Sequence, residues 1–309
     1  PDLYDEPFAD SSQIPTFLIS QMAKQHVTVA LSGDGGDELF GGYNRYFWGK
    51  KIWNKLSWMP WSLRRLVGAF ILSQPVERWD LLSNYACKLF SSAGVVQLGD
   101  KAHKLGARLE TVHNIDDLYM SLISQWGKPQ PVVNCNYTAL TILDYREAWP
   151  NIGSDEERMM YLDSMTYLPD DILCKVDRAA MGTSLETRVP FLDHRVVEYA
   201  WQLPLSLKIK NGQGKWLLRQ LLYKHVPKAL IERPKQGFSI PLAEWLRGPL
   251  RDWAEALLDE QRLIHEGYFD PTPILYKWNE HLAGRGNWQH HLWSVLMFQA
   301  WLEKQNDTQ

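Results

Sequence analysis

A glycine-rich turn between a short strand and a helix constrains this chain more than any other feature. Residues 27–43 read V-T-V-A-L-S-G-D-G-G-D-E-L-F-G-G-Y: a β-branched run ends at Leu31, glycines follow, and a helix is predicted to begin near Glu38. Glycine tolerates the backbone angles that let successive N–H groups face one concavity, and a helix N-terminus favours anions. Such a unit is typical of phosphate binding, although a tight connection without a ligand is an equally ordinary reason for it.

Composition excludes several classes of protein. The 309 residues include 33 Lys and Arg against 36 Asp and Glu, so a formal net charge of −3 provides no basic field for nucleic acid. No apolar run has the length of a membrane span, and no signal peptide is visible. The three cysteines are widely spaced, lack metal-ligand spacing and are typical of a reducing compartment: Cys87, Cys135 and Cys174. We therefore expect a cytoplasmic protein without a nucleic-acid or membrane partner.

The periodicity of apolar residues predicts a largely helical chain around one short strand. A helix over 14–24 followed by a strand over 27–31 is the order found at the end of a doubly wound α/β unit. After Tyr43 almost no further strand signal occurs. Start and stop signals predict helices at 154–167, where Ser154 and Glu157 form a capping box, from Pro169 onward, from an Asp193 cap to 202, and at 214–225, 242–258 and 288–304.

Residues 47–65 interleave tryptophan with lysine and arginine. This pattern fits a helix that lies on a membrane surface. It also fits an ordinary packed helix whose lysine side chains extend to solvent, and that is the interpretation we favour.

Four sequence blocks occur in a fixed order: D-E-P-F-A-D-S-S at 5–12, L-S-G-D-G-G-D-E-L-F-G-G-Y at 31–43, L-P-D-D-I-L-C-K-V-D-R-A-A-M at 168–181 with L-E-T-R-V-P-F-L-D at 185–193, and R-P-K-Q-G-F at 233–238. Together they resemble the synthetase domain of glutamine-dependent asparagine synthetases, over essentially the whole chain. The resemblance implies an α/β fold of the adenine nucleotide α-hydrolase-like, ATP-pyrophosphatase type. This chain would hold the last parallel strand or strands, with 1–46 as the end of the nucleotide-binding unit and 47–309 as a mainly helical body of one synthetase-type domain, 1–309.

The resemblance also implies a reaction. ATP and Mg²⁺ would activate the carboxylate of aspartate as an acyl-adenylate with release of pyrophosphate, and ammonia would then form the amide. In the family the ammonia comes from glutamine, hydrolysed in a separate N-terminal domain, and dimers are common. That glutaminase domain and the family's S-G-G-x-D-S phosphate loop do not occur in these 309 residues, so we expect the chain to be inactive by itself. The same chemistry on another carboxylate, such as a sugar acid or a lactam precursor, and a non-catalytic nucleotide-binding module remain alternatives.

Individual residues take roles from the same resemblance. Asp34 stands where relatives usually carry Glu, a carboxylate involved in adenylate formation and in handling the proton of ammonia, and Lys235 matches the catalytic lysine. Asp37 matches the magnesium ligand. The expected nucleotide contacts are Ser32, Gly33, Gly35, Gly36 and Arg233.

Charged residues are unusually dense between 168 and 193 for a segment that we expect to be buried. On a helix Asp171 and Lys175 share a face, because they are four residues apart. They fit either direct contact with substrate or phosphate, which we favour, or an internal salt-bridge network that orients helices.

Overall fold

The structure, a computed structural model, describes residues 1–75, 78–79, 98–127, 132–134, 140–232 and 238–307. Most of these residues are helical, as the periodicity predicts. No helix in these ranges has the length and apolar character needed to cross a membrane. The helices in chain order are α1 Gln13–Lys24, α2 Gly36–Phe40, α3 Asn44–Leu56, α4 Trp61–Ser73, α5 Leu98–Thr111, α6 Ile115–Ile123, α7 Asp155–Met165, α8 Cys174–Met181, α9 His194–Gln202, α10 Leu205–Lys208, α11 Trp216–Leu222, α12 Lys228–Ile231, α13 Leu242–Arg247, α14 Arg251–Leu257, α15 Glu260–Glu266, α16 Pro271–Leu282 and α17 Gln289–Asp307.

Two short strands form a parallel sheet. Strand β1, Val29–Leu31, pairs with β2, Glu186–Arg188, and Ala30 stands opposite Thr187. Strand β2 is the one strand that the described residues contain after Tyr43, where the sequence has almost no strand signal. Two of the three β2 residues are charged, so local propensity does not predict a strand there; pairing with β1 creates it. The sheet also joins residues on both sides of the predicted boundary at 46 and 47.

The structure around α7 confirms the predicted helix cap, and it shows that the next helical segment begins earlier than predicted. Ser154 caps α7 as predicted, because its hydroxyl accepts the N–H of Glu157. The next helix was predicted to begin at Pro169, but a π-helical segment, Leu168–Leu173, begins one residue earlier and runs directly into α8. A π-helical turn widens the backbone and is frequent at functional sites.

The predicted helix over 242–258 is in fact two helices, α13 and α14. The backbone leaves helical geometry at Gly248, with φ −124° and ψ −108°, and Pro249 follows. A proline in a helix interior lacks the N–H donor and clashes with the preceding turn, so the break is local in origin.

Buried apolar residues form separate clusters that hold the site elements. One joins α13 to α17 through Leu246, Ile274 and Leu296. Another packs Leu39 and Phe40 of α2 against α9 and so fixes the helix that follows the glycine-rich turn. Helix α2 of the candidate site is thus anchored by packing outside the site.

Candidate functional site

The glycine-rich turn, residues 32–37, begins where β1 leaves the sheet. The Ser32 N–H donates to the Arg188 carbonyl at 2.8 Å, which extends the parallel ladder by one bond. Gly35 has φ +77°, and a Cβ atom there would lie 2.7 Å from the Leu192 side chain. Glycine is therefore required at Gly35 both by backbone conformation and by close packing.

The three glycines of this turn differ in how accessible they are. The Gly36 N–H already donates to the Gly33 carbonyl at 3.3 Å, and Gly35 and Gly36 are buried. Gly33 is exposed, and a Cβ there would have no described atom within 4 Å. The predicted phosphate contacts of Ser32 and these glycines stay predictions, with Gly33 the accessible member.

The two acids of the turn have different partners. Asp34 accepts a hydrogen bond from the Ser32 hydroxyl, so both side chains lie at the same rim. The Asp37 Oδ2 atom pairs with Lys215 Nζ at 2.9 Å. Its Oδ1 atom is buried without a hydrogen-bond partner among the described residues, beside Gly42, where a Cβ would lie 1.8 Å from it. Lys215 was not among the residues predicted for the site.

Asp37 fits a magnesium–phosphate complex but not a metal site built by protein alone. Its unpartnered Oδ1 is a hard oxygen ligand of the kind that Mg²⁺ prefers, and Mg²⁺ usually takes one or two carboxylates with phosphate and water. Within the described part of the chain, no three His, Cys, Asp or Glu side chains converge as a metal site. Asp37 therefore suits a metal that arrives with a nucleotide.

Three charged side chains from the first and third sequence blocks form one group, the carboxylate cluster: Asp10, Asp171 and Lys175. Lys175 Nζ pairs with Asp10 Oδ2 at 2.6 Å, and Lys175 is buried although it carries a charge. Asp10 also accepts from Ser12, from its hydroxyl at 2.7 Å and its N–H at 2.9 Å. The Asp171 Oδ1 atom is buried with no hydrogen-bond partner among the described residues. An ion pair of the kind that the alternative interpretation describes thus exists at Lys175, while direct ligand contact, the favoured interpretation, stays a prediction.

The two acids of the carboxylate cluster have pKa values that are shifted in opposite directions. Burial, followed by the negative charge of Asp10, raises the pKa of Asp171 to about 7, against the opposing effect of Lys175. Burial alone would raise the pKa of Asp10, but the Lys175 ammonium and the hydrogen bonds from Ser12 outweigh it and lower that pKa. Near neutral pH one acid is therefore charged and the other can exchange a proton.

Aromatic residues connect this cluster to the turn. The Tyr167 and Tyr43 rings meet with centroids 5.7 Å apart, and the Tyr43 hydroxyl donates to Glu38 Oε1 at 2.8 Å. Tyr167 lies close enough to Asp171 for the negative charge of that acid, after burial, to raise the pKa of the phenol. Glu38 is itself buried, and burial raises its pKa. A continuous set of polar side chains thus runs from the π-helical segment to α2.

The guanidinium of Arg45 packs on both rings of this aromatic contact. It lies 4.4 Å from the Tyr43 ring centroid and 4.9 Å from that of Tyr167. Asp163, which is fully buried, accepts from Arg45 Nε at 2.8 Å and from the hydroxyls of Tyr46 at 2.6 Å and Tyr119 at 2.8 Å. These three hydrogen bonds to a buried carboxylate fix the position of Arg45 and of the two rings that it touches.

Several residues of this site were not predicted, and two predicted ones are not among the residues that the structure describes. Arg233 and Lys235 fall outside the described residues. Asp10 belongs to the first sequence block, so the block itself was the available signal. Tyr43 ends the second block, so the same signal was available for it. Contacts between distant segments bring in the others: Arg45, Asp163, Tyr167 and Lys215.

Comparison with known proteins adds an independent finding. The sequence model of the family described as asparagine synthase matches residues 1–303. "Asparagine synthetase [glutamine-hydrolyzing] 1" of Bacillus subtilis is 33% identical over 305 residues, which are 96% of this chain and 44% of that protein. "Asparagine synthetase [glutamine-hydrolyzing]" of Gallus gallus is 35% identical over 146 residues, 42% of this chain and 26% of that protein. The chain spans less than half the length of these curated relatives.

Proposed function

The chain belongs to the asparagine synthase family, and from that premise we propose that it forms the synthetase part of an ATP-dependent ligase. The ligase would activate aspartate, or a similar carboxylate, as an acyl-adenylate and convert it to an amide with ammonia. The names of the relatives include glutamine hydrolysis, which supports glutamine as the source of that ammonia. A homodimer and a cytoplasmic location belong to the same proposal.

One observation carries the proposal furthest. The fold brings the block at 5–12 into direct contact with the block at 168–181, through the ion pair between Lys175 and Asp10. The Tyr167 ring, next to the second of these blocks, meets Tyr43, whose hydroxyl donates to Glu38 in the helix that follows the glycine-rich turn. Motifs that are far apart in sequence thus meet around one group of titratable side chains, as expected of a site that handles a charged substrate.

The turn would hold the nucleotide. In this proposal Gly33 and Ser32 contact phosphate from the end of β1, and Asp37 Oδ1 binds the Mg²⁺ that accompanies the phosphates. Bound Mg²⁺ would supply a positive charge close to the phosphate oxygens. Lys215 keeps the other Asp37 oxygen in place through its 2.9 Å ion pair, so Oδ1 is the oxygen left to face a ligand.

Proton handling would fall to carboxylates. Asp34 lies at the rim beside Ser32, where it would accept a proton from incoming ammonia. Asp171, with a pKa of about 7, suits a second proton-accepting position because its pKa lies near neutral pH. Lys235 and Arg233 would add positive charge opposite pyrophosphate, as the family pattern implies.

The exposed sheet supports a contribution from a further segment of the full protein. Leu31 and Val29 of β1 are exposed, although parallel sheets are normally covered on both faces and contain more than two strands. We propose that this sheet is the end of a larger parallel sheet of the adenine nucleotide α-hydrolase type, and that the added part carries the remaining phosphate-binding loop. The chain would then need that part for activity.

The test is an assay of AMP, pyrophosphate and amide formation with ATP, Mg²⁺, ammonia and a panel of carboxylates that includes aspartate. It is performed on the protein as its gene encodes it, including any segment before Pro1. We expect Asp37→Asn to lower kcat by at least ~100-fold, because removal of one charge that stabilises the reacting phosphates has effects of this order. The matched control is Asp177→Asn, an exposed acid on α8.

Three results would contradict the proposal in different ways. AMP formation that is unchanged in Asp37→Asn would remove this turn from the site. Activity with a sugar acid but not with aspartate would mean that the substrate is a sugar acid and not aspartate. Nucleotide binding without AMP formation on any carboxylate would indicate a non-catalytic module.

A further inference from the structure

The segment 44–75, which comprises α3, a four-residue connection and α4, has an unusual charge distribution. It contains six Lys and Arg residues and no Asp or Glu, in a chain whose net charge is −3. It also contains four tryptophans. Neither feature is used by the site described above, with the exception of Arg45.

Some of these side chains are accounted for by packing, as the sequence pattern allowed. Lys50 pairs with Glu156 at 3.0 Å, and Arg45 pairs with Asp163. Arg64 is buried, donates to the Val112 carbonyl at 3.0 Å and lies 5.1 Å from the Trp53 ring. The packed interpretation is therefore right for this inner set.

A second set points away from the protein, and we call it the α3–α4 surface. Its apolar members include Trp58 in the connection, which is 73% exposed, and Leu66 and Phe70 on α4, which are 66% and 61% exposed. Leu63 is also exposed, and 63, 66 and 70 recur at helical spacing along one stripe of α4. The basic members, both exposed, are Lys55 and Arg65.

The exposed stripe is not the face by which α4 joins the rest of the chain. That face packs on α5 so closely that a Cβ on Gly68 would lie 2.7 Å from the Gly106 carbonyl oxygen. Within the described residues, α4 thus has one face in tight contact with protein and another that presents large apolar side chains to solvent. A cluster of such side chains marks an interaction surface more often than scattered single ones do.

We propose that the α3–α4 surface binds the surface of a membrane that contains anionic lipids. Tryptophan and leucine side chains enter the boundary between headgroups and acyl chains, while lysine and arginine attract anionic headgroups. The absence of acids from the whole segment suits a negatively charged partner of this kind. A second copy of the chain fits less well, because a symmetric contact would bring the basic residues Lys55 and Arg65 of both copies into the same interface.

This inference is independent of the proposed function. It proposes that the protein attaches to the surface of a membrane; no helix in the described part of the chain spans one. It also revises the favoured interpretation of residues 47–65: packing explains the inner set, and membrane contact would explain the outer one.

The test is co-sedimentation of the protein with vesicles of pure phosphatidylcholine and with vesicles that contain 30% phosphatidylglycerol (roughly a common anionic content). We expect binding to the anionic vesicles only, weakened by added salt. Leu66→Gln with Phe70→Gln should lower the partition coefficient at least ~10-fold, and Lys55→Gln with Arg65→Gln should lower it by about 10-fold or more. The controls are Tyr276→Gln and Lys224→Gln, exposed residues on α16 and just after α11, which should bind as the unaltered protein does.

All substituted positions are exposed, so the variants should keep the fold, and circular dichroism checks this. Failure of the protein to sediment with the anionic vesicles would overturn the proposal. Equal losses in the control variants would overturn it as well. A concentration-dependent dimer that Leu66→Gln with Phe70→Gln abolishes, without vesicle binding, would assign the surface to a second copy instead.

Discussion

The glycine-rich turn and the carboxylate cluster lie in one molecule but are built in opposite ways. The turn occupies six consecutive residues, and its geometry follows from glycines and from short contacts such as that between Ser32 and Asp34. The cluster joins Asp10 to residues more than 160 positions later, and it exists only because α1 and α8 pack together. One is readable from a local pattern, and the other is a product of tertiary structure.

This difference predicts how substitutions in each part of the site affect the stability of the fold. A change in the turn alters backbone conformation at one place, so its effect depends on which glycine is replaced. A change in the cluster leaves buried charges without a counterion, so its effect spreads to every member. We therefore expect the largest losses of stability in the cluster.

The strongest way to test the comparison is Lys175→Met. Removal of the buried Lys175 ammonium leaves Asp10 and Asp171, which are both partly buried, with no described counterion. Breaking a buried pair destabilises proteins by about 3–5 kcal/mol. Urea unfolding followed by circular dichroism measures the change. The control is Arg188→Met, whose ion pair with Glu186 is exposed and should contribute less than about 1 kcal/mol. Similar losses of unfolding free energy in both variants would show that the cluster stabilises the fold no more than an exposed ion pair does.

The pH dependence of stability sharpens the same point. Asp171 has its pKa raised from 3.8 to about 7 in the folded state, so the folded chain binds more protons than the unfolded chain between these values. Stability from this residue is complete below pH 4 and is lost as the pH rises through 7. The advantage of Asp171→Asn over the unaltered chain should therefore grow from pH 4 to pH 8, by an amount on the order of 3 kcal/mol.

Thermal unfolding across that range, with Asp170→Asn as control, decides the matter. Asp170 is the exposed neighbour of Asp171, and we expect its substitution not to reproduce the gain of Asp171→Asn. Parallel curves for all three proteins would mean that Asp171 ionises normally in the fold.

The smallest expected effects distinguish two glycines of the turn. Gly35→Ala forces a Cβ into a positive-φ residue and against Leu192, which should destabilise the fold by about 2 kcal/mol. Gly33→Ala meets open space and should change stability by less than about 0.5 kcal/mol. If Gly33→Ala nevertheless lowered nucleotide affinity, its exposed position would be a binding position. Equal destabilisation by the two variants would contradict the assignment of Gly35 as the conformationally required glycine.

The sequence predicted the helices well where the signals were local. Helix α1 matches the predicted 14–24 within one residue, and α9 begins after its Asp193 cap and ends at Gln202 as expected. The misses share a cause: β2 is polar and depends on a partner strand, and the π-helical segment moved a predicted helix start. The break at Gly248 is the exception, because Pro249 made it visible in advance.

The site divides in the same manner. Sequence alone determined the glycine-rich turn, the capped helices and, through four ordered blocks, the family, because backbone propensity and motif order are properties of contiguous residues. Only the tertiary structure decided that Lys175 pairs with Asp10, that Arg45 lies between Tyr43 and Tyr167, and that Asp171 is partly buried close to a second acid. Burial and charge proximity depend on which segments pack together, and no local pattern in this chain carries that information.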